Sequence, residues 1–235
     1  MRIILNLIAR HIKGSDYSLD PDLSVTALFA LARRRLGLLT RGLLRTGRFV
    51  FIGKGVQLRN SGYLKLGRGV TIQNGVLIDA LSTNGVDLGD NCNIGPMTII
   101  QATGVLTRLG IGFSLGSNSG IGGFSFVGCG GGVRIGSNVI MGQYVSFHSE
   151  NHVFDDVARP IREQGVTRSG IEVGDDCWIG AKATFIDGAK VGNGCVIAAG
   201  SVVRGVVPPF SVVAGVPGRV IRSRLCSQTL SAADD

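Results

Sequence analysis

Two of the three histidines in this 235-residue chain, His148 and His152, lie in one polar stretch together with Glu150, Asp155 and Asp156. A neutral imidazole with a pKa near 6.5 can accept a proton at neutral pH and, once charged, return it. A loop of this makeup therefore suits proton transfer, with a neighbouring acid free either to orient a ring or to cap a turn. The remaining histidine, His11, has no motif around it, so a three-histidine zinc site is poorly supplied and no metal is expected. The five cysteines (Cys92, Cys129, Cys177, Cys195, Cys226) are odd in number and form no CxxC pair. They read as small core fillers in a reducing compartment.

The loop is isolated by the regularity on either side of it. From Val173 an aliphatic or aromatic residue returns every sixth position: Val173, Ile179, Phe185, Val191, Ile197, Val203. Earlier anchors fall at Leu66, Ile72 and Ile78, at Leu88, Ile94, Ile100 and Leu106, at Leu109, Leu115, Ile121 and Val127, and at Ile135, Met141 and Phe147. A period of six fits neither a helix nor an open strand, but it fits a parallel β-helix of hexapeptide repeats. In its left-handed form three hexads close one triangular coil, which allows about seven or eight coils. Thirty-seven glycines and a charged fraction of only 17% suit a tight turn every few residues. The register slips near 80–87, 107–108, 128–134 and 148–172, and the longest slip holds His148 and His152. A long excursion from a regular scaffold is where function tends to be placed. The paired prolines Pro208 and Pro209 are expected to stop the ladder.

Residues 1–48 read as a basic amphipathic helical segment, 49–217 as the β-helix and 218–235 as a basic tail or short helix. Nine Arg and Lys against three Asp give the first 48 residues a net +6, so the rest of the +8 chain carries only +2. Leu28, Leu31, Ala32, Leu39 and Leu43 are expected to share the packed face, with Arg34, Arg41 and Arg45 mostly elsewhere. The segment then either packs on the solenoid or a neighbouring subunit, or lies on anionic lipid at the inner membrane. The opening MRIILNLIAR is too short to span a bilayer, and Arg33, Arg34, Arg35, Arg41 and Arg45 interrupt the next apolar run. A cytoplasmic protein is expected. Without a recognised motif or aromatic interleaving, nucleic acid is not expected as a partner.

The stretches NHVFDDVARPI, IEVGDDCWIGAKATFIDGAKVGNGCVIAAGSVV and VPPFSVVAGVPGRVI carry a resemblance that covers about residues 60–224. They resemble the hexapeptide-repeat acyltransferases, most nearly the maltose, galactoside and polysaccharide O-acetyltransferase branch. The resemblance implies a homotrimer of left-handed β-helices with acetyl-CoA in the cleft between subunits. It implies His152 as the general base, with His148 as its rival. It places Trp178 of the WIG motif near the pantetheine or thioester end, and Ala181 and Ala199 where backbone groups meet pantetheine. Arg204, Arg219 and Arg222 fall at basic positions near the CoA phosphates. Where relatives carry Thr-Lys after GSxV, this chain has Arg204-Gly205. The family's acceptor-binding asparagine and acid find no counterpart in the glycine-rich 120–132 region.

The function implied is acetyl transfer to a sugar hydroxyl in the synthesis of a surface polysaccharide or other glycan. Amino-sugar N-acetylation and acetylation of an antibiotic use the same base and cleft. A non-catalytic trimeric scaffold needs neither.

Overall fold

The computed structural model describes Asp20 and residues 22–225. His11, Cys226, the start of the N-terminal segment (1–19) and the end of the C-terminal tail (226–235) lie outside the described residues. The chain forms a left-handed parallel β-helix whose three sheets have nine, seven and seven strands. Each turn of the solenoid visits the first, second and third sheet in that order. Phe51, Thr71, Asn93, Gly120, Ile140, Trp178, Val196 and Val212 are successive register partners on the first sheet.

The sixfold anchors explain why this chain coils rather than lying flat. Ile72, Ile94, Ile121, Ile179 and Ile197 stack inside the first sheet, and Ile78, Ile100, Val127, Phe147 and Phe185 inside the second, all fully enclosed. Phe147 and Phe185 stack with ring centroids 4.6 Å apart. Burying a side chain of this size contributes about 1.5–3 kcal/mol relative to exposure. Cys92, Cys129, Cys177 and Cys195 are buried free thiols.

Two expected anchors fail: Leu106 is 80% exposed, and Leu109 is exposed as well. They sit in an excursion, 102–112, that leaves the coil after Gln101 and rejoins it at Phe113. Such excursions follow a rule. All seven turns from the first to the second sheet contain four residues, for example 142–145 and 180–183. The turns from the second to the third sheet vary instead, covering 60–63, 80–85, 102–112, 129–132, 149–170, 187–189 and 204–205. Every slip in the sequence period therefore opens at one edge of the prism.

Both ends of the solenoid differ from expectation. The strand Ser211–Ala214 still pairs in parallel with Val196–Ile197, so the prolines do not stop the ladder; they sit in the turn before it. Within the expected tail or short helix, the described residues Arg219–Ser223 form a strand that folds back antiparallel on Ser211–Ala214. It covers an edge that would otherwise present unpaired backbone groups.

At the other end stands helix α1, Val25–Thr46, with Ser24 as N-cap and Gly47 as a left-handed C-cap. Its buried residues are Leu28, Leu38 and Gly42, whereas Leu31 and Leu43 of the expected face are exposed. Gly42 is required at the contact, because a Cβ there would stand 1.8 Å from the Val50 carbonyl oxygen. The arginines turn toward the solenoid. Arg41 donates to Ile52 O at 2.9 Å, Arg45 to Val56 O at 2.9 Å and Arg48 to Leu66 O at 3.1 Å. The first coil has no coil beneath it to bond its carbonyls, and three guanidinium groups meet that need. No helix among the described residues is long and apolar enough to cross a membrane.

Candidate active site

The longest excursion, 149–170, carries a two-stranded hairpin in which Asn151–His152 pairs antiparallel with Val166–Thr167. His152 is opposite Val166, on a side-chain position open to solvent. Beyond it the tip is braced from within. The Gln164 side chain accepts from Asp156 N at 3.0 Å and donates to Asp156 O and Arg159 O at 2.8 Å each. Asp156 caps a turn by accepting from Ala158 N at 3.0 Å. These bonds fix the hairpin although few apolar groups hold it.

The base of the hairpin is tied to three neighbouring segments. Arg168, whose side chain is only 6% exposed, forms an ion pair with Glu150 and donates to Leu109 O at 3.1 Å. Asp187, one coil further on, accepts from Thr167 Oγ1 at 2.8 Å, Ser169 N at 3.1 Å and Gly170 N at 2.8 Å. The buried Ser149 hydroxyl donates to Gly128 O at 2.8 Å and accepts from Gly131 N at 3.0 Å. The glycines of the preceding coil make this possible: a Cβ at Gly130 would stand 2.0 Å from the Glu150 carboxyl carbon. The glycine-rich stretch that displaces the expected acceptor residues thus seats the loop.

The other sequence candidates are distributed as follows. His148 ends the strand Ser146–His148 on the outer face of the second sheet, with its ring 5.6 Å from that of Phe126. It belongs to the coil, whereas His152 belongs to the excursion. Trp178 stands on the outer face of the first sheet, 58% exposed, between Ile140 and Val196. Ala181 and Ala199 occupy successive turns between the first and second sheets, joined by a 2.9 Å bond from Gly200 N to Ala181 O. Arg204 lies in the last turn from the second to the third sheet, and Arg219 and Arg222 on the closing antiparallel strand. Both Arg204 and Arg219 are exposed. Of the flanking acids, Glu150 is taken by Arg168 and Asp156 by the turn at the tip.

These positions have a geometric consequence. In a three-sided prism the first sheet faces away from the edge between the second and third. Trp178 and the root of the His152 hairpin therefore lie on opposite sides of one chain. Two shallow grooves open on the third sheet, one lined by Arg134, Glu172, Asp175 and Asn193, the other by Asn84, Asp87, Ser114 and Ser169. Neither reaches His152 or Trp178. The edge between the first and second sheets carries Met97, Phe124 and Tyr144, each about half exposed and each with a positive φ near 58°. Phe124 and Tyr144 stack 5.3 Å apart. Bulky residues seldom adopt that backbone conformation, and here it projects an apolar ridge outward.

Arg168, Asp187 and Gly130 were not singled out from the sequence. An arginine in a polar loop looks like solvated charge, and only the closure of the coil brings it under Glu150. The one available signal was the run Gly130, Gly131, Gly132 one coil before the excursion.

Comparison with known proteins places the architecture. The family described as "Bacterial transferase hexapeptide (six repeats)" matches residues 170–205. A Mycobacterium tuberculosis protein named as a probable acetyltransferase is 30% identical over 196 residues, 83% of this chain and 55% of its own length. This chain thus spans about half of that relative. An Escherichia coli protein named for O-acetyl transfer in lipopolysaccharide biosynthesis is 24% identical over 192 residues, 79% of this chain and 83% of its own. Among solved structures, an N-acyltransferase from Bacillus cereus shares the fold with a TM-score of 0.51 and 16% identity, covering 82% of this chain and 96% of its own.

Proposed function

Because this chain belongs to the hexapeptide-repeat transferase family, we propose that it is an acetyl-CoA-dependent O-acetyltransferase of the cytoplasm. Its acceptor is a sugar hydroxyl in a surface polysaccharide or glycan precursor, and it works as a homotrimer. One observation carries the reading: Trp178 and the His152 hairpin stand on opposite sides of the prism, so a single chain cannot assemble both into one cleft. A second copy supplies the missing half. The apolar ridge of Met97, Phe124 and Tyr144 supports an interface at the edge between the first and second sheets. With that edge turned inward, the first sheet of one subunit faces the second sheet and the hairpin of its neighbour.

In this arrangement Trp178 packs along the donor near its thioester, with Ala181 and Ala199 letting the main chain approach the pantetheine. Arg204, Arg219 and Arg222 meet its phosphates. His152 removes the proton from the acceptor hydroxyl as that oxygen attacks the thioester carbonyl carbon. The new C–O bond forms, the C–S bond breaks, and the imidazolium returns its proton to the departing thiolate. Base catalysis of this kind contributes roughly 10²–10⁴-fold, and holding both substrates in one cleft supplies further acceleration. No acyl-enzyme is needed.

The test offers acetyl-CoA with panels of sugars, amino sugars and antibiotics and follows free thiol. The expected result is turnover with a sugar hydroxyl, lost in His152→Ala while CoA binding and oligomeric mass persist. Turnover only with amines would replace the acceptor class. Full activity of His152→Ala beside an inactive His148→Ala would move the base to the coil. A chain that binds no CoA would be a scaffold.

A further inference from the structure

Helix α1 buries one stripe against the solenoid and leaves a second in the open. The buried stripe runs through Leu28, Leu38 and Gly42. About a third of a turn away, Val25, Phe29, Ala32, Leu36, Leu39 and Leu43 follow one another at steps of 4, 3, 4, 3 and 4 residues. That spacing places them on a single face. Phe29 is 59% and Leu36 61% exposed, and Val25 and Leu43 are exposed as well. Leaving several large apolar groups of one face in water is a marked departure for a folded surface, and such patches mark interaction sites.

The charges decide what covers this stripe. Helix α1 contains five arginines and no acidic residue. Arg41 and Arg45 are committed to solenoid carbonyls, and Arg35 lies 3.7 Å over the Phe51 ring. Arg33 and Arg34 remain exposed with no bonded partner among the described residues; Arg33 borders the stripe, whereas Arg34 stands on the far side of the helix in line with Arg41 and Arg45. A seam that zipped to the same helix of another copy would set arginine against arginine with no acid to answer them. The chain's own first 19 residues carry Arg2, Arg10 and Lys13 against Asp16, so they offer no complementary charge either. An apolar face bordered by the unpaired Arg33, on a helix with no acid, fits an interface that is apolar within and negative at its surface.

We propose that the Val25–Leu43 face of α1 docks on an anionic phospholipid bilayer, with Phe29 and Leu36 entering the acyl boundary and Arg33, at the border of the stripe, meeting the headgroups. The apolar residues supply depth and Arg33 supplies selection for negative lipid. The helix lies in the plane of the surface and does not span it. A chain held this way presents its solenoid to acceptors at the same membrane. The binding itself does not depend on the acetyl-transfer reading.

The experiment is co-sedimentation of the full chain with phosphatidylcholine vesicles, with and without phosphatidylglycerol, at low and high salt. The expected result is binding to the phosphatidylglycerol vesicles alone, weakened by salt. Phe29→Glu/Leu36→Glu should abolish it, and Arg33→Gln should lower partition by about fivefold. Arg33 is exposed and its replacement leaves packing untouched, so that variant decides the matter even if the first folds poorly. Absence of wild-type binding, or equal binding by the arginine variant, overturns the proposal. So does a seam variant whose oligomeric mass falls in the absence of lipid, which would assign the face to a second copy. Stronger vesicle binding after deletion of residues 1–19 would mean that the chain covers its own stripe, and would overturn it too.

Discussion

Arg168 reaches under the hairpin that carries His152 and forms an ion pair with Glu150, two residues before the histidine. The same guanidinium donates to Leu109 O, so one side chain joins the return strand of the hairpin, its outgoing strand and the excursion of an earlier coil. Replacing Arg168 with Ala leaves the partly buried carboxylate uncompensated. We expect a loss of about 2 kcal/mol, seen as a fall of roughly 4–8 °C in Tm. Well below that Tm, kcat should fall while the KM for acetyl-CoA stays near wild type, because Trp178, proposed to meet the donor, is on the opposite face. Arg168→Lys should recover part of kcat, since an ammonium can meet Glu150 yet lacks the fork that also reaches the carbonyl. An unchanged kcat in Arg168→Ala at low temperature would reduce the residue to a structural tie.

The two glycines of α1 should respond oppositely to alanine. Gly37 faces only the flexible end of Arg41, whose nearest atom would lie 3.7 Å from a Cβ added at that position. Gly37→Ala is expected to stabilise by about 0.5–1 kcal/mol through helix propensity. Gly42→Ala would drive a methyl into the Val50 carbonyl and push the helix off the first coil, exposing the carbonyls that Arg41 and Arg45 serve. Chemical denaturation of both variants checks this, with the midpoint rising for the first and falling for the second.

The buried thiols give the protein an alkaline limit. Burial pushes Cys92 and Cys177 up to about 11 from an ordinary 9.0, and it raises Cys129 and Cys195 as well. Above pH 9 the folded state keeps protons that the unfolded chain releases, so stability falls as pH rises. The contribution is complete below pH 9 and is lost as pH climbs through about 11. Denaturant midpoints should decline across that window, and the decline should be shallower in Cys92→Ala/Cys177→Ala. Cys92, Cys129, Cys177 and Cys195 should resist alkylation in the native protein near neutral pH and react once it unfolds.

The coil was legible because a sixfold repeat in which Ile72, Ile94 and Ile179 return to one inner line admits few other folds. Periodicity did not distinguish Leu106 and Leu109 from true anchors, since spacing alone cannot tell a stacked leucine from one carried out on an excursion. The helix misled for a different reason. It has two apolar stripes, and the face read from the sequence mixed them; only the end of the solenoid, with its unbonded carbonyls, selects Leu28, Leu38 and Gly42. His152 stood out through its excursion and the resemblance of its motif. Arg168 and Asp187 did not, because their meaning depends on segments 17 to 59 positions away.

If each cleft takes its hairpin from one chain and its tryptophan face from the next, two dead chains can make a live site. His152→Ala and Trp178→Ala should each be nearly inactive as pure proteins. Co-expressed in equal amounts they would form mixed trimers in which a given cleft draws an intact His152 and an intact Trp178 in about a quarter of cases. Activity should therefore return to about a quarter of wild type per site, measured as thiol release from acetyl-CoA. A control with both substitutions in one chain, mixed with wild type, separates rescue from simple dilution. Failure of the single variants to complement, with trimers of mixed composition demonstrated by mass, would place both residues in a site made by one chain. The hairpin would then have to fold around the prism, against the anchoring that Arg168 and Asp187 give its base.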